Sequence, residues 1–108
     1  MTDVVSAIEN QTMLSGRVID RQPHGTVDRW DVIRLKVRSA DDTETHPNLL
    51  GETVGGQISV AVNRDELPEG DLKGWQFTGR VRLAGPETVT AVPGGAGLGR
   101  PTLTPPEV

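Results

Sequence analysis

The chain contains no cysteine. Disulfide staples, thiolate nucleophiles and thiolate metal sites are therefore excluded, and any core must hold by burial alone. Tyrosine is absent as well, and Trp30, Trp75 and Phe77 make up the whole aromatic inventory. The two histidines, His24 and His46, stand in polar, turn-like segments with no carboxylates at zinc- or iron-ligand spacing. No metal or other cofactor is expected. No apolar stretch approaches the ~20 residues of a membrane span, and the first ten residues carry neither the basic start nor the apolar run of an export signal. The expectation is a cytoplasmic protein without membrane association. Neither a Ser–His–Asp set nor a carboxylate dyad can be argued from the motifs, so no enzymatic activity is expected.

Positive charge is also in short supply overall, with 11 Lys+Arg against 15 Asp+Glu and a formal net charge of -4. Its placement is not even, however. In Trp30–Arg38 the residues alternate so that Ile33, Leu35 and Val37 share one face while Trp30, Arg34, Lys36 and Arg38 share the other. Trp75–Leu83 repeats the pattern, with Phe77, Val81 and Leu83 against Thr78, Arg80 and Arg82. Two cationic strand faces in an acidic protein point to a surface that meets a polyanion, because phosphate binding depends on local rather than net charge. The bland alternative is an ordinary solvated face on which Asp20, Asp28 and Asp31 neutralise some of these cations at little energetic consequence.

At 108 residues the chain has room for one domain with one modest core. Residues 1–12 read as a short N-terminal helix or extension, with Thr2 or Asp3 as cap and Val4, Val5 and Ile8 on one side. Met13–Arg21, Trp30–Arg38, Gln57–Asn63, Trp75–Leu83 and Glu87–Val92 read as five strands, separated by turn-forming segments rich in Gly, Pro and Asp. The inward set is Ile33, Leu35, Val37, Ile58, Val60, Val62, Phe77 and Val81. Gly16 and Gly79 interrupt strand patterns, where glycine marks a bulge or a barrel bend, or simply allows close packing. Residues 94–108 have few core formers and read as a flexible Gly/Pro-rich tail. Within that tail Gly94–Thr102 is superficially like a phosphate-binding loop, but Arg100 stands in place of the lysine and Pro101 follows it.

The order of elements over residues 13–93 resembles an OB-fold, the five-stranded Greek-key barrel found in single-stranded nucleic-acid binders. The resemblance is carried by the early strand around Gly16–Val18, by the gap between the third and fourth strands, and by Lys73–Val81, in which a glycine-preceded aromatic leads into a Gly-x-Val pattern. The chain departs from the family in that gap, where Pro68 leaves room for at most a vestigial helix. The expected fold class is thus all-β, an OB-like barrel with a short N-terminal helix and a disordered C-terminal tail. What the resemblance implies is ligand binding across the second and third strands, with the loops between strands one and two and between strands four and five closing over it. The candidate contacts are Arg17, Trp30, Arg34, Lys36, Arg38, Ser59, Asn63, Arg80 and Arg82, with Trp30 either a stacking platform or an edge of the core. The expected function is non-catalytic binding of single-stranded nucleic acid, DNA favoured over RNA. The alternative is a protein-interaction or assembly module of the same fold, and edge-strand pairing into a homo-oligomer is compatible with either.

Overall fold

The computed structural model describes residues 10–43, 48–85, 88–91 and 101–106. Strands β1 (Thr12–Pro23), β2 (Trp30–Asp42), β3 (Gln57–Asn63), β4 (Gln76–Gly85) and β5 (Thr88–Ala91) are joined by a sixth, β6 (Thr102–Thr104). The sheet order is β1-β2-β3-β5-β4-β6, and a further pairing of β1 with β4 closes the first five strands into a barrel. All pairings are antiparallel except β3 with β5. This mixed five-stranded barrel is compatible with an OB-like fold. The expected N-terminal helix falls on residues outside those described; from Asn10 onward the chain is irregular and then enters β1, with no helix.

Burial follows the alternation. Ile33, Leu35, Val37, Val60, Val62, Phe77 and Val81 are buried together with Leu14, Val18 and Val89, while Ile58 and Trp75 are partly buried against this cluster. Leu50, Leu67 and Leu72 reach the same core from the connectors. The connector after β3 forms only one 3-10 turn, Arg64–Glu66, before Leu67 and Pro68, and it contributes Leu67 and Leu72 to the core without a longer helix.

Two bulges set which side chains face outward. Ser15 is opposite Ser39 and Gly16 opposite Val37, which leaves Arg38 as an extra residue on β2. Farther along, Val18 is opposite Leu35 and Asp20 opposite Arg34, leaving Ile19 extra on β1. A bulge reverses strand parity beyond it. Asp20 is thereby carried to the exterior beside Arg34, and Arg21 is carried inward, opposite the buried Ile33.

The two strand glycines have different causes. Gly16 sits at the first bulge, where a Cβ would lie 2.5 Å from the backbone oxygen of Lys36. Gly79 keeps regular register with Leu14 of β1. On its other edge, β6 pairs with Gln76–Thr78 and β5 from Val81 onward. Gly79 lies in the interval between them, and a Cβ there would come within 3.1 Å of Pro101.

The disordered-tail expectation is therefore corrected over residues 101–106. Pro101 is buried in the interval left by Gly79, and Leu103 packs against the core while Thr102–Thr104 pairs with β4. A tail with one proline and one leucine at the right places needs no periodic apolar face. Deleting residues 101–108 is expected to lower stability by about 2 kcal/mol, since Leu103 and Pro101 lose their burial. A urea-unfolding midpoint equal to that of the full chain would show that β6 contributes nothing.

Candidate nucleic-acid interface

The barrel arranges one row of exterior side chains along its curved surface, across five strands. Gln57 of β3 is opposite Lys36 of β2, Lys36 opposite Arg17 of β1, Arg17 opposite Gln76 of β4, and Gln76 opposite Thr104 of β6. At about 4.8 Å between strands the row covers about 19 Å measured along the sheet. Gln57, Lys36, Arg17 and Thr104 are exposed, and Gln76 is half-buried, its amide donating to Ser15 Oγ at 2.5 Å. Arg38, the bulge residue, is exposed on β2 beyond Arg17. Placing Arg17 directly across from Lys36 sets two like charges side by side, which disfavours the pairing unless an anion offsets it. No acidic partner holds Arg17, Lys36 or Arg38 among the described residues.

Four other arginines are treated differently. Arg34 donates to Asp20 at 2.6 Å, and Arg29 to Asp65 at 3.2 Å. Arg21 and Arg64 both hold the buried Asp31, at 2.7 and 3.1 Å. The Arg21 guanidinium also donates to the carbonyls of Pro68 and Gly70 at 2.6 and 3.0 Å. This ties the end of β1 to the β3–β4 connector. Burial works to raise the Asp31 carboxyl, but the hydrogen bonds and charges of Arg21 and Arg64 outweigh it and hold the group below the ordinary aspartate value of 3.8. Arg21, Asp31 and Arg64 border an open hollow of about 770 Å³ whose other charged residues, Asp65 and Glu69, are acidic. Its balance of charge makes it a structural junction rather than an anion site.

The remaining expected contacts are dispersed. Ser59 is exposed opposite Arg34, in a small hollow of about 110 Å³ shared with Asp20. Asn63 is opposite Trp30, but its side-chain oxygen accepts from the backbone N–H of Asp65 and so caps the 3-10 turn. Trp30 is half-buried and stands outside the hydrophobic cluster. It lies eight residues along β2 from Arg38, about 26 Å at the usual rise. Arg80 is half-buried opposite Met13, its guanidinium donating to Gln11 at 3.2 Å, and Arg82 is exposed opposite Thr90. Neither joins the row, because Arg80 is paired four residues along β1 from Arg17.

The structure thus brings together Arg17, Lys36 and Arg38 from the expected set. It adds Gln57, Gln76 and Thr104, whose relevance depends on register. Of the two loops implied to close over a ligand, the one between β4 and β5 contains residues 86–87, which are outside those described. The one between β1 and β2 is fixed by His24, whose Nδ1 accepts from the backbone N–H groups of Thr26 and Val27 at 3.1 and 3.0 Å. Compared with protein-family models, curated proteins and solved structures, the chain matches none.

Proposed function

We propose that this barrel is an OB-like, non-catalytic module that binds single-stranded nucleic acid, DNA in preference to RNA, through the exterior row centred on Arg17, Lys36 and Arg38. The observation that carries this reading is the contrast in charge partnering. Arg21, Arg29, Arg34 and Arg64 are each held by an aspartate, whereas Arg17, Lys36 and the flanking Arg38 are exposed, adjacent and without an acidic partner among the described residues; Lys73, Arg80 and Arg82 also lack one but stand outside the row. Phosphates at the usual spacing of a single strand supply the missing negative charge, and Gln57, Gln76 and Thr104 offer uncharged donors alongside. Such binding reads backbone rather than sequence, and it is salt-dependent through counterion release.

In an Arg17→Ala/Lys36→Ala/Arg38→Ala variant, the log–log dependence of affinity on salt is expected to flatten by about 2 units, roughly 0.7 for each lost phosphate contact. Arg34→Ala, which removes a cation already paired with Asp20, is expected to change affinity much less. A folded triple variant with unaltered affinity and slope would remove the row from the site.

The competing reading, a protein-interaction module, draws on the scarcity of aromatic platforms along this face and on the outer edge of β6, which pairs with no other strand among the described residues. Pairing at that edge would also account for a homo-oligomer.

A further inference from the structure

An aromatic-poor face leaves open what the bases of a bound strand rest against. Trp30, about 26 Å along β2 from Arg38, is too far away to serve the nucleotide whose phosphate meets that arginine. The C-terminal segment offers a different surface. Because β6 extends the row from Gln76 to Thr104, the next two residues, Pro105 and Pro106, are delivered to the border of the cationic row. Arg17 and Arg38 on one side and Thr104, Pro105 and Pro106 on the other line an open groove of about 740 Å³, with Gln76 between them. That volume suits a small-ligand cleft. Pro106 is seated over Gly74: a Cβ built on that glycine would come within 3.8 Å of the Pro106 ring. Gly74 has φ +86 and its N–H donates to the carbonyl of Val18 at 2.8 Å, so the floor beneath the proline is fixed to β1.

Both prolines are exposed. Two consecutive proline rings are stiff, carry no N–H of their own and hold an extended backbone. Apolar side chains, proline among them, are used by other proteins to pack against or between bases.

We infer that Pro105 and Pro106 form the apolar wall of a nucleotide subsite whose phosphate is held by Arg17 and Arg38. The inference rests on the proposed single-strand binding and assigns the tail a part in it. One nucleotide unit fits the chemistry of the groove, with an anion between the two guanidinium groups and the flat base or sugar against the rings. In this arrangement the tail strand completes the site rather than merely buttressing the barrel.

The test is anisotropy titration of a fluorescein-labelled oligothymidylate with the full chain, its Pro105→Gly/Pro106→Gly variant and an Arg17→Ala/Arg38→Ala variant, each checked for an unchanged melting temperature. The proline variant is expected to bind about fivefold or more weakly with an unchanged salt slope, because no charge has been removed. The arginine variant is expected to lose affinity and about 1.4 units of slope together. Equal or tighter binding by the folded proline variant, with the arginine variant still impaired, overturns the wall while leaving single-strand binding standing; tighter binding would make the tail a cover over the site. If the proline variant melts lower, single Pro105→Ala and Pro106→Ala changes replace it in the same comparison. If the full chain does not bind the oligonucleotide at all, both the subsite and the proposed function fall.

Discussion

Replacing Gly16 by valine is expected to cost more than about 4 kcal/mol, a loss that few single substitutions reach. Any Cβ at this position meets the backbone oxygen of Lys36 at 2.5 Å and its carbonyl carbon at 3.2 Å. Backbone atoms cannot swing aside as a side-chain tip can. Gly16 is also opposite Phe77 of β4, so moving β1 away from β2 would disturb the seam that closes the barrel. Gly25, where a Cβ would have nothing within 4 Å, is the control, and Gly25→Ala is expected to stay within about 0.5 kcal/mol of the parent. Urea unfolding of the two variants separates these outcomes. A Gly16→Val protein with the parent midpoint would mean that β1 and β2 do not approach as described.

The second large effect is expected at Asp31. Asn at this position keeps the shape but removes the charge that both Arg21 and Arg64 share, and removing one partner of a buried ion pair costs about 3–5 kcal/mol. Arg21 keeps its bonds to the carbonyls of Pro68 and Gly70, which places the loss toward the lower end of that range. The same residue gives the fold a pH dependence. Its carboxyl is held below 3.8 in the folded chain, so the unfolded chain takes up the proton first as pH falls. The contribution of Asp31 is complete above about pH 5 and is lost progressively as pH drops through the lowered folded value. Melting temperatures measured near neutrality and near pH 3 should fall less steeply in Asp31→Asn than in the parent. Parallel falls would place no stabilised carboxylate at this position.

Alternation of apolar and charged residues made β2, β3 and most of β4 legible, including the buried faces of Ile33, Leu35, Val60, Val62, Phe77 and Val81. It works because each strand has one dry and one wet side. The same signal cannot register a bulge, which adds one residue without altering composition. That is why Asp20 and Arg21 exchange faces unannounced, and why Arg21 arrives inside to meet Asp31, whose own inward place continues the unbroken alternation of Ile33, Leu35 and Val37. Turn-like composition hid β6 for a related reason. Thr102–Thr104 is too short to show periodicity, and its anchoring depends on the space that Gly79 leaves for Pro101.

The shared face of Lys36 and Arg38 was visible in the sequence, but the placement of Arg17 beside them was not. Arg17, Lys36 and Arg38 belong together only once β1 is paired with β2 in this register, whereas Arg80 and Arg82, equally cationic in sequence, are set apart by the pairing of β4 with β1 and β5. Strand parity says which side of the sheet a residue occupies, and register says which residues are neighbours.

Binding of a labelled single-stranded oligonucleotide by the full chain, measured by fluorescence anisotropy beside a duplex of the same length, bears most directly on the proposed function. Three phosphate contacts imply an affinity for the single strand about twentyfold weaker at about 200 mM salt than at about 50 mM, with the duplex bound less well at both. No change in anisotropy with either oligonucleotide at the lower salt would contradict a nucleic-acid role for the row of Arg17, Lys36 and Arg38.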